Sequence, residues 1–378
     1  MIKRNPMNKT KPLLLASAVL SLVLGIGSKR MFSEMYHSKI PYQKKQAIEA
    51  IIQEDVQDTK RIDVEEAIND RFNRYFNTYS IGGKSITLNM PFGENCERSE
   101  EENYNQAFYH AGKGEPTNLW KAVHYAVKSP RFNRYISELK AEKEKVVIFD
   151  LKKQKYDVSS DKELVSKMKK GKYPGNSSLV YIYKKDGSFG EEDVYNYLYC
   201  ISRVGTDCSG FVYNIQKAIA SEKGINLDRM LAKKLGVRKE KVPIYIGTWL
   251  YNPENGYTEN VEDRISNIKA GDMILFRGKE GKVKHSAVVQ SVDKEKGIVR
   301  YMQSTDWAPQ EERGVHESLI IFNPKNPNVS LKDKSLIWKQ KISPTFKGEQ
   351  PIGWRNDGDR YRAYRDYGGG MIARLRVK

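Results

Sequence analysis

The sequence predicts an α+β fold: a mainly helical N-terminal part, then a domain in which one prominent helix packs with several antiparallel strands. Three observations carry this. Apolar residues recur at helical spacing through residues 41–79 and 101–144. After residue 178 the texture changes to short apolar runs separated by Gly, Asp and Asn turns. Between those runs, Phe211, Val212, Ile215, Ala218 and Ile219 form one apolar stripe at helical spacing, beginning within a turn of Cys208.

Taken in order, the chain begins with Lys3, Arg4, Lys9 and Lys11, an apolar run from Leu13 to Ile26, and then Gly27-Ser28-Lys29-Arg30. Basic, apolar, small is the order of a secretory signal, and the run is shorter than the roughly 20 residues a spanning helix needs. Residues 1–30 are therefore expected to be a signal peptide or a membrane anchor, with residues 13–27 as the membrane contact. Export places the protein in the periplasm or cell envelope.

Residues 31–172 are expected to form a mainly helical domain, to which no motif assigns a role. Ile48, Ile51, Ile52 and Val56 mark one helix face, and Val64, Ala67, Ile68, Phe72 and Tyr75 mark another. The pentapeptide Arg-Phe-Asn-Arg-Tyr occurs at Arg71 to Tyr75 and again at Arg131 to Tyr135, too short to establish a repeat. Val146 to Leu151 suits a strand. A charged stretch ending at Pro174-Gly175 supplies the boundary, and residues 173–378 form the second domain. There, Leu179 to Tyr183, Met273 to Phe276, Ala287 to Val289 and Ile298 to Met302 suit strands, with Lys294 to Gly297 as a hairpin turn. The C-terminal residues alternate apolar and basic to Lys378, as an edge strand completing the sheet would.

The 378 residues carry 65 Lys and Arg against 47 Asp and Glu, a formal net charge of +18. Such a balance favours polyanionic partners without naming a reaction. In an exported chain the expected partner is an acidic envelope polymer rather than nucleic acid. Three cysteines make an odd count; Cys96 with Cys200 is the one pairing that leaves Cys208 over, and three unpaired thiols is the alternative. No His-x-x-x-His or paired-Cys spacing occurs and no phosphate-binding glycine loop precedes a helix, so neither a metal nor a cofactor is expected.

Cys208 stands at a helix start, where backbone N–H groups and the helix dipole favour a thiolate. A thiol nucleophile needs a base. Of the five histidines, His285 leads the apolar run Ser286 to Val289, just after Gly271-Asp272-Met273 to Phe276 and a Gly/Lys-rich turn. An imidazole base needs an oxygen acceptor for its second nitrogen, and the next strand offers Gln303, with Ser304 beside it as the alternative.

This ordered set resembles the NlpC-type cell-wall cysteine peptidases, a papain-like family. The matching residues are Asp207 to Val212, Gly271 to Phe276, His285 and Gln303, within roughly residues 193–307. The resemblance implies a papain-like domain in which the Cys-bearing helix packs on an antiparallel sheet. It also implies a catalytic set of Cys208, His285 and Gln303 and cleavage of amide bonds in peptidoglycan stem peptides. The family places a tyrosine about a dozen residues before the cysteine, a position taken by Tyr197 or Tyr199. With Asp207, Ser209 and the Cys208 N–H, that residue would line the oxyanion and substrate site. The chain departs from the family in lacking the glycines beside that tyrosine, in a long basic insertion near residues 221–264, and in a basic C-terminal extension. Two other readings stay open: a CHAP-like amidase or an acyltransferase on another substrate, and a non-catalytic wall-binding protein.

Overall fold

The structure, a computed structural model, describes residues 63–93, 114–172, 179–305, 314–341, 354–356, 364 and 369–376. These belong to one compact unit, Ile62–Lys378. The leader at 1–30, the apolar positions between Ile48 and Val56, and Cys96 lie outside the described residues.

Helix α1 (Val64–Asn73) starts where Asp63 accepts a hydrogen bond from the Glu66 N–H at 3.0 Å, and it buries Ile68 and Phe72. The helical pattern expected to run on to Tyr79 stops at Asn73. Phe76–Ile81 is instead strand β1, paired antiparallel with β2 (Lys84–Asn89). Gly82 and Gly83 explain this: with φ of 56° and 85° they close the two-residue hairpin turn that demands positive φ at both positions. Helices α2 (Pro116–Lys128) and α3 (Pro130–Leu139) are separated by Ser129, which caps α3 by accepting from the Phe132 N–H. Strands β3 (Lys145–Asp150) and β4 (Lys155–Ser159), helix α4 (Lys162–Lys169) and strand β5 (Leu179–Lys184) follow. The three strands form a sheet of order β4-β3-β5.

Next come α5 (Glu191–Tyr197), α6 (Cys208–Glu222) and α7 (Leu227–Leu235), then short 3-10 turns through residues 239–255. The remaining strands are β6 (Thr258–Val261), β7 (Met273–Arg277), β8 (Val283–Asp293), β9 (Ile298–Thr305), β10 (Gly314–Ile321), β11 (Ile337–Lys341), β12 (Trp354–Asn356) and β13 (Gly370–Leu375). They build an antiparallel sheet of order β12-β11-β10-β9-β8-β7-β13-β6. The fold is therefore mixed α+β with antiparallel sheets.

Helix α6 lies on β8 and β9. Its Phe211, Val212, Ile215 and Ile219 join Val288 and Met302 in a core that also contains Ile68, Phe72 and Tyr75. Residues on both sides of the boundary expected near 172 thus share one apolar interior, and the part before it carries four strands, β1 to β4, as well as helices. The opposite face of the large sheet is covered separately, by Ile265, Phe276, Tyr301, Trp338 and Tyr364.

The C-terminal strand differs from its expected place. β13 is not at the edge: it pairs with β7 on one side and β6 on the other. Its basic residue Arg374 accounts for the position. The guanidinium makes two bonds to the Asp272 carboxylate, at 2.7 and 2.8 Å, and that carboxylate also accepts from the Lys269 N–H at 2.9 Å. Asp272 is fully buried, so Arg374→Ala would leave a buried charge with its main partner gone. We expect that substitution to cost about 3 kcal/mol in chemical denaturation. A change below 0.5 kcal/mol would show that the pair does not hold β13.

Candidate active site

Cys208 is the first residue of α6 and is 7% exposed. Asp207 caps the helix: one carboxylate oxygen accepts from the Gly210 N–H at 2.6 Å, and the other accepts from the Ser209 hydroxyl at 2.7 Å. The two side chains expected to line an oxyanion or substrate site are therefore joined to each other at the helix end. These bonds fix the first turn of the helix and with it the dipole at the thiol.

His285 and Gln303 are brought together. His285 Nε2 lies 2.8 Å from Gln303 Oε1. The rest of the network fixes which atoms carry protons. His316 Nδ1 is 2.9 Å from the Gly314 carbonyl oxygen, which can only accept, so Nδ1 holds the hydrogen and Nε2 presents a lone pair. The Gln303 amide nitrogen lies 3.3 Å from that Nε2 and donates to Ser318 Oγ at 2.9 Å. This orientation turns the amide oxygen toward His285, whose Nε2 must donate. In the neutral imidazole the lone pair then sits on Nδ1.

The strand registers account for the cluster. His316 stands opposite Gln303, and Ser318 stands opposite Tyr301, so all three polar side chains share one face of β9 and β10. His285 stands opposite Phe276 on β7, with ring centroids 5.4 Å apart, next to a bulge between Phe276 and Arg277. All four polar residues of the relay are buried, with His316 the most exposed at 7%.

The helix bearing Cys208 is tied to the strand bearing Gln303. Ser304, the neighbour of Gln303, points to the other side and donates to the Thr206 carbonyl at 2.6 Å. Ser304 is thus an anchor for the segment leading into Cys208, not a partner of His285. A second tie comes from the expected insertion. Tyr251 donates to the Ser209 carbonyl at 2.5 Å, and Thr248 donates to the Val283 carbonyl at 2.7 Å. That segment therefore bridges the residue after Cys208 and the residue two before His285.

The tyrosines expected before the cysteine do not behave alike. Tyr197 is buried among Phe132, Tyr135 and Tyr156. Burial raises its phenol pKa, against the lowering effect of a hydrogen bond with Ser129, the residue between α2 and α3. Its place is in the aromatic core. Tyr199 is half-buried and stacks on Tyr195 with centroids 6.3 Å apart. Tyr195, thirteen residues before Cys208, accepts from the Phe92 N–H at 3.3 Å.

Sequence reasoning missed His316, Ser318 and the segment Asn89 to Gly93. The first two left no clear signal, because His316, Glu317 and Ser318 are three consecutive polar residues in strand Gly314–Ile321 and show no apolar/polar alternation. The segment had none either. It reaches the site only because Asn89 and Met90 bond to Val315, and Pro91 and Gly93 bond to Thr206. Comparison of the chain with known protein families, curated proteins and solved structures returns no match.

Long-range nitrogen–proton NMR at neutral pH, assigned with single His→Gln variants, should find His285 as the Nε2–H tautomer and His316 as the Nδ1–H tautomer. Gln303→Leu should remove the preference at His285. An Nδ1–H tautomer at His285 in the unaltered protein would contradict the proton order derived above.

Proposed function

We propose that the chain is a papain-like thiol hydrolase in which Cys208 is the nucleophile, His285 the base and Gln303 the group that orients the imidazole. The observation that carries this reading is the bond between His285 Nε2 and Gln303 Oε1, held in one sense by Ser318 and His316. It leaves Nδ1 as the basic nitrogen on a ring that cannot readily turn.

In the reaction, His285 Nδ1 takes the thiol proton and the thiolate attacks the amide carbonyl. The C–N bond breaks as the imidazolium returns that proton to the departing amine. Water, deprotonated by the same nitrogen, then releases the acyl group from sulfur as a carboxylic acid. A thiol of ordinary pKa near 8.5 is only a few per cent ionised at neutral pH, so both the helix end and His285 are needed for useful rates.

The resemblance to the NlpC-type peptidases supports peptidoglycan stem peptide as the substrate class, and the charge of +18 suits an acidic envelope polymer. The basic, apolar leader supports an exported protein acting in the periplasm or cell envelope.

Cys208→Ala should abolish release of peptide fragments from purified peptidoglycan while keeping the circular-dichroism spectrum. His285→Ala should slow alkylation of Cys208 by iodoacetamide at pH 7 by about tenfold or more, since only the thiolate reacts. Unchanged turnover in Cys208→Ala, or an alkylation rate indifferent to His285, would refute the assignment.

A further inference from the structure

Gln303 has a single amide oxygen and stands between two imidazoles. That oxygen lies 2.8 Å from His285 Nε2, and the amide nitrogen lies 3.3 Å from His316 Nε2 and 2.9 Å from Ser318 Oγ. Turning the amide by half a rotation exchanges the two atoms with almost no change of shape. The network therefore has one satisfied arrangement for each charge state of His316.

When His316 is neutral, its Nδ1–H is committed to the Gly314 carbonyl, its Nε2 accepts from the amide, and the oxygen is left for His285. An imidazolium donates from both nitrogens. If His316 takes a proton from solvent, its Nε2–H meets the Gln303 NH2, two donors opposed in a site removed from water. Turning the amide relieves this. The oxygen then accepts from His316 and from the Ser318 hydroxyl, which can donate as well as accept. The NH2 now points at His285 Nε2, which must offer a lone pair. His285 releases its Nε2 proton and takes one at Nδ1, so the net uptake is the single proton on His316.

We propose that Gln303 allows only one of His285 and His316 to be cationic, so that a proton on His316 switches off the base at His285. The imidazolium formed when the thiol gives up its proton needs the amide oxygen at Nε2, and a charged His316 withholds it. This consequence for catalysis rests on the assignment of His285 as the base; the exclusion itself rests on the amide.

His316 is placed to take the first proton. It is 7% exposed, against 4% for His285 and 0% for Gln303 and Ser318, and it faces the negative end of the Gly314 carbonyl. His285 packs on the Phe276 ring, and the thiol it serves stands at the positive end of α6. The other described groups near His316 keep their charge between about pH 5 and 8, the range in which histidine ordinarily titrates. Asn89 of β2 bonds to the Val315 carbonyl, β11 places Gln340 opposite Ser318, and Tyr195 of α5 reaches Gly314, where a Cβ would lie 3.2 Å from its hydroxyl. Glu317 alternates to the other face of the strand.

The test is long-range nitrogen–proton NMR of full-length Cys208→Ala protein between about pH 8 and pH 5. On acidification His316 should become cationic while His285 stays neutral and changes from the Nε2–H to the Nδ1–H tautomer. In His316→Gln, where no proton can turn the amide, His285 should keep Nε2–H until it becomes cationic itself. Gln303→Glu, whose carboxylate offers an acceptor oxygen to each ring, should let both be cationic together. With Gln303 in place, the proposal is overturned if both rings become cationic, if His316 stays neutral throughout, or if His285 takes the proton first. It is also overturned if His285 keeps Nε2–H once His316 is charged, as simple charge repulsion would allow. The thiol is absent from these proteins, so none of the outcomes depends on Cys208 being a nucleophile, which its turnover assay tests separately.

Discussion

The peptide unit of Thr206 holds the candidate site together. Its carbonyl accepts from Ser304 Oγ at 2.6 Å and from the Gly93 N–H at 3.4 Å, while its own N–H donates to the Pro91 carbonyl at 2.9 Å. Three parts of the chain meet there: the segment after β2, the lead into α6, and the end of β9. Close approach is possible because residue 205 is glycine; a Cβ there would lie 2.4 Å from the Pro91 oxygen. Gly114 is under the same constraint, since a Cβ would come within 2.1 Å of Thr206 Oγ1. A side chain at either place would force apart the elements that position Cys208 and Gln303.

The polar relay is the second consequence of this packing. His285, Gln303, His316 and Ser318 come from three neighbouring strands and are removed from water, next to Phe276, Tyr301 and Trp338. Burying amides and imidazoles is unfavourable unless donors meet acceptors, and here each bond dictates the direction of the next. The result is a unique proton order ending at one nitrogen of His285. Asp272 and Arg374 follow the same logic at the opposite end of α6: a buried charge tolerated because its partner is bidentate. The Gly-Asp pair before β7, read from sequence as part of a site motif, places this carboxylate where it anchors the C-terminal strand.

Much of the local structure was legible. The stripe after Cys208 is α6, the runs at Met273, Ala287 and Ile298 lie in β7, β8 and β9, and Asp207 sits where a helix cap is favoured. His285 and Gln303 were expected to meet, and they do. The errors arose where a local pattern has two physical uses. Residues 75–79 keep apolar spacing compatible with a helix, yet the glycine pair after them permits a hairpin, and β1 forms. The alternating tail suits an edge, but Arg374 finds Asp272 and the strand is drawn inside. Tyr197 has the spacing of a site residue and the surroundings of a core residue.

Sequence by itself determined the short-range properties: which residues start a helix, which strands alternate, which thiol and imidazole have chemistry to offer. These depend on neighbours within a few positions, where covalent geometry fixes the distance. Only the tertiary structure decided the roles of Ser304, His316, Tyr195 and the segment 89–93. Those depend on strand register and on close contact between residues more than a hundred positions apart, such as Asn89 and Val315. No local pattern encodes such a contact; it exists because the apolar faces on both sides of residue 172 bury more surface together than apart.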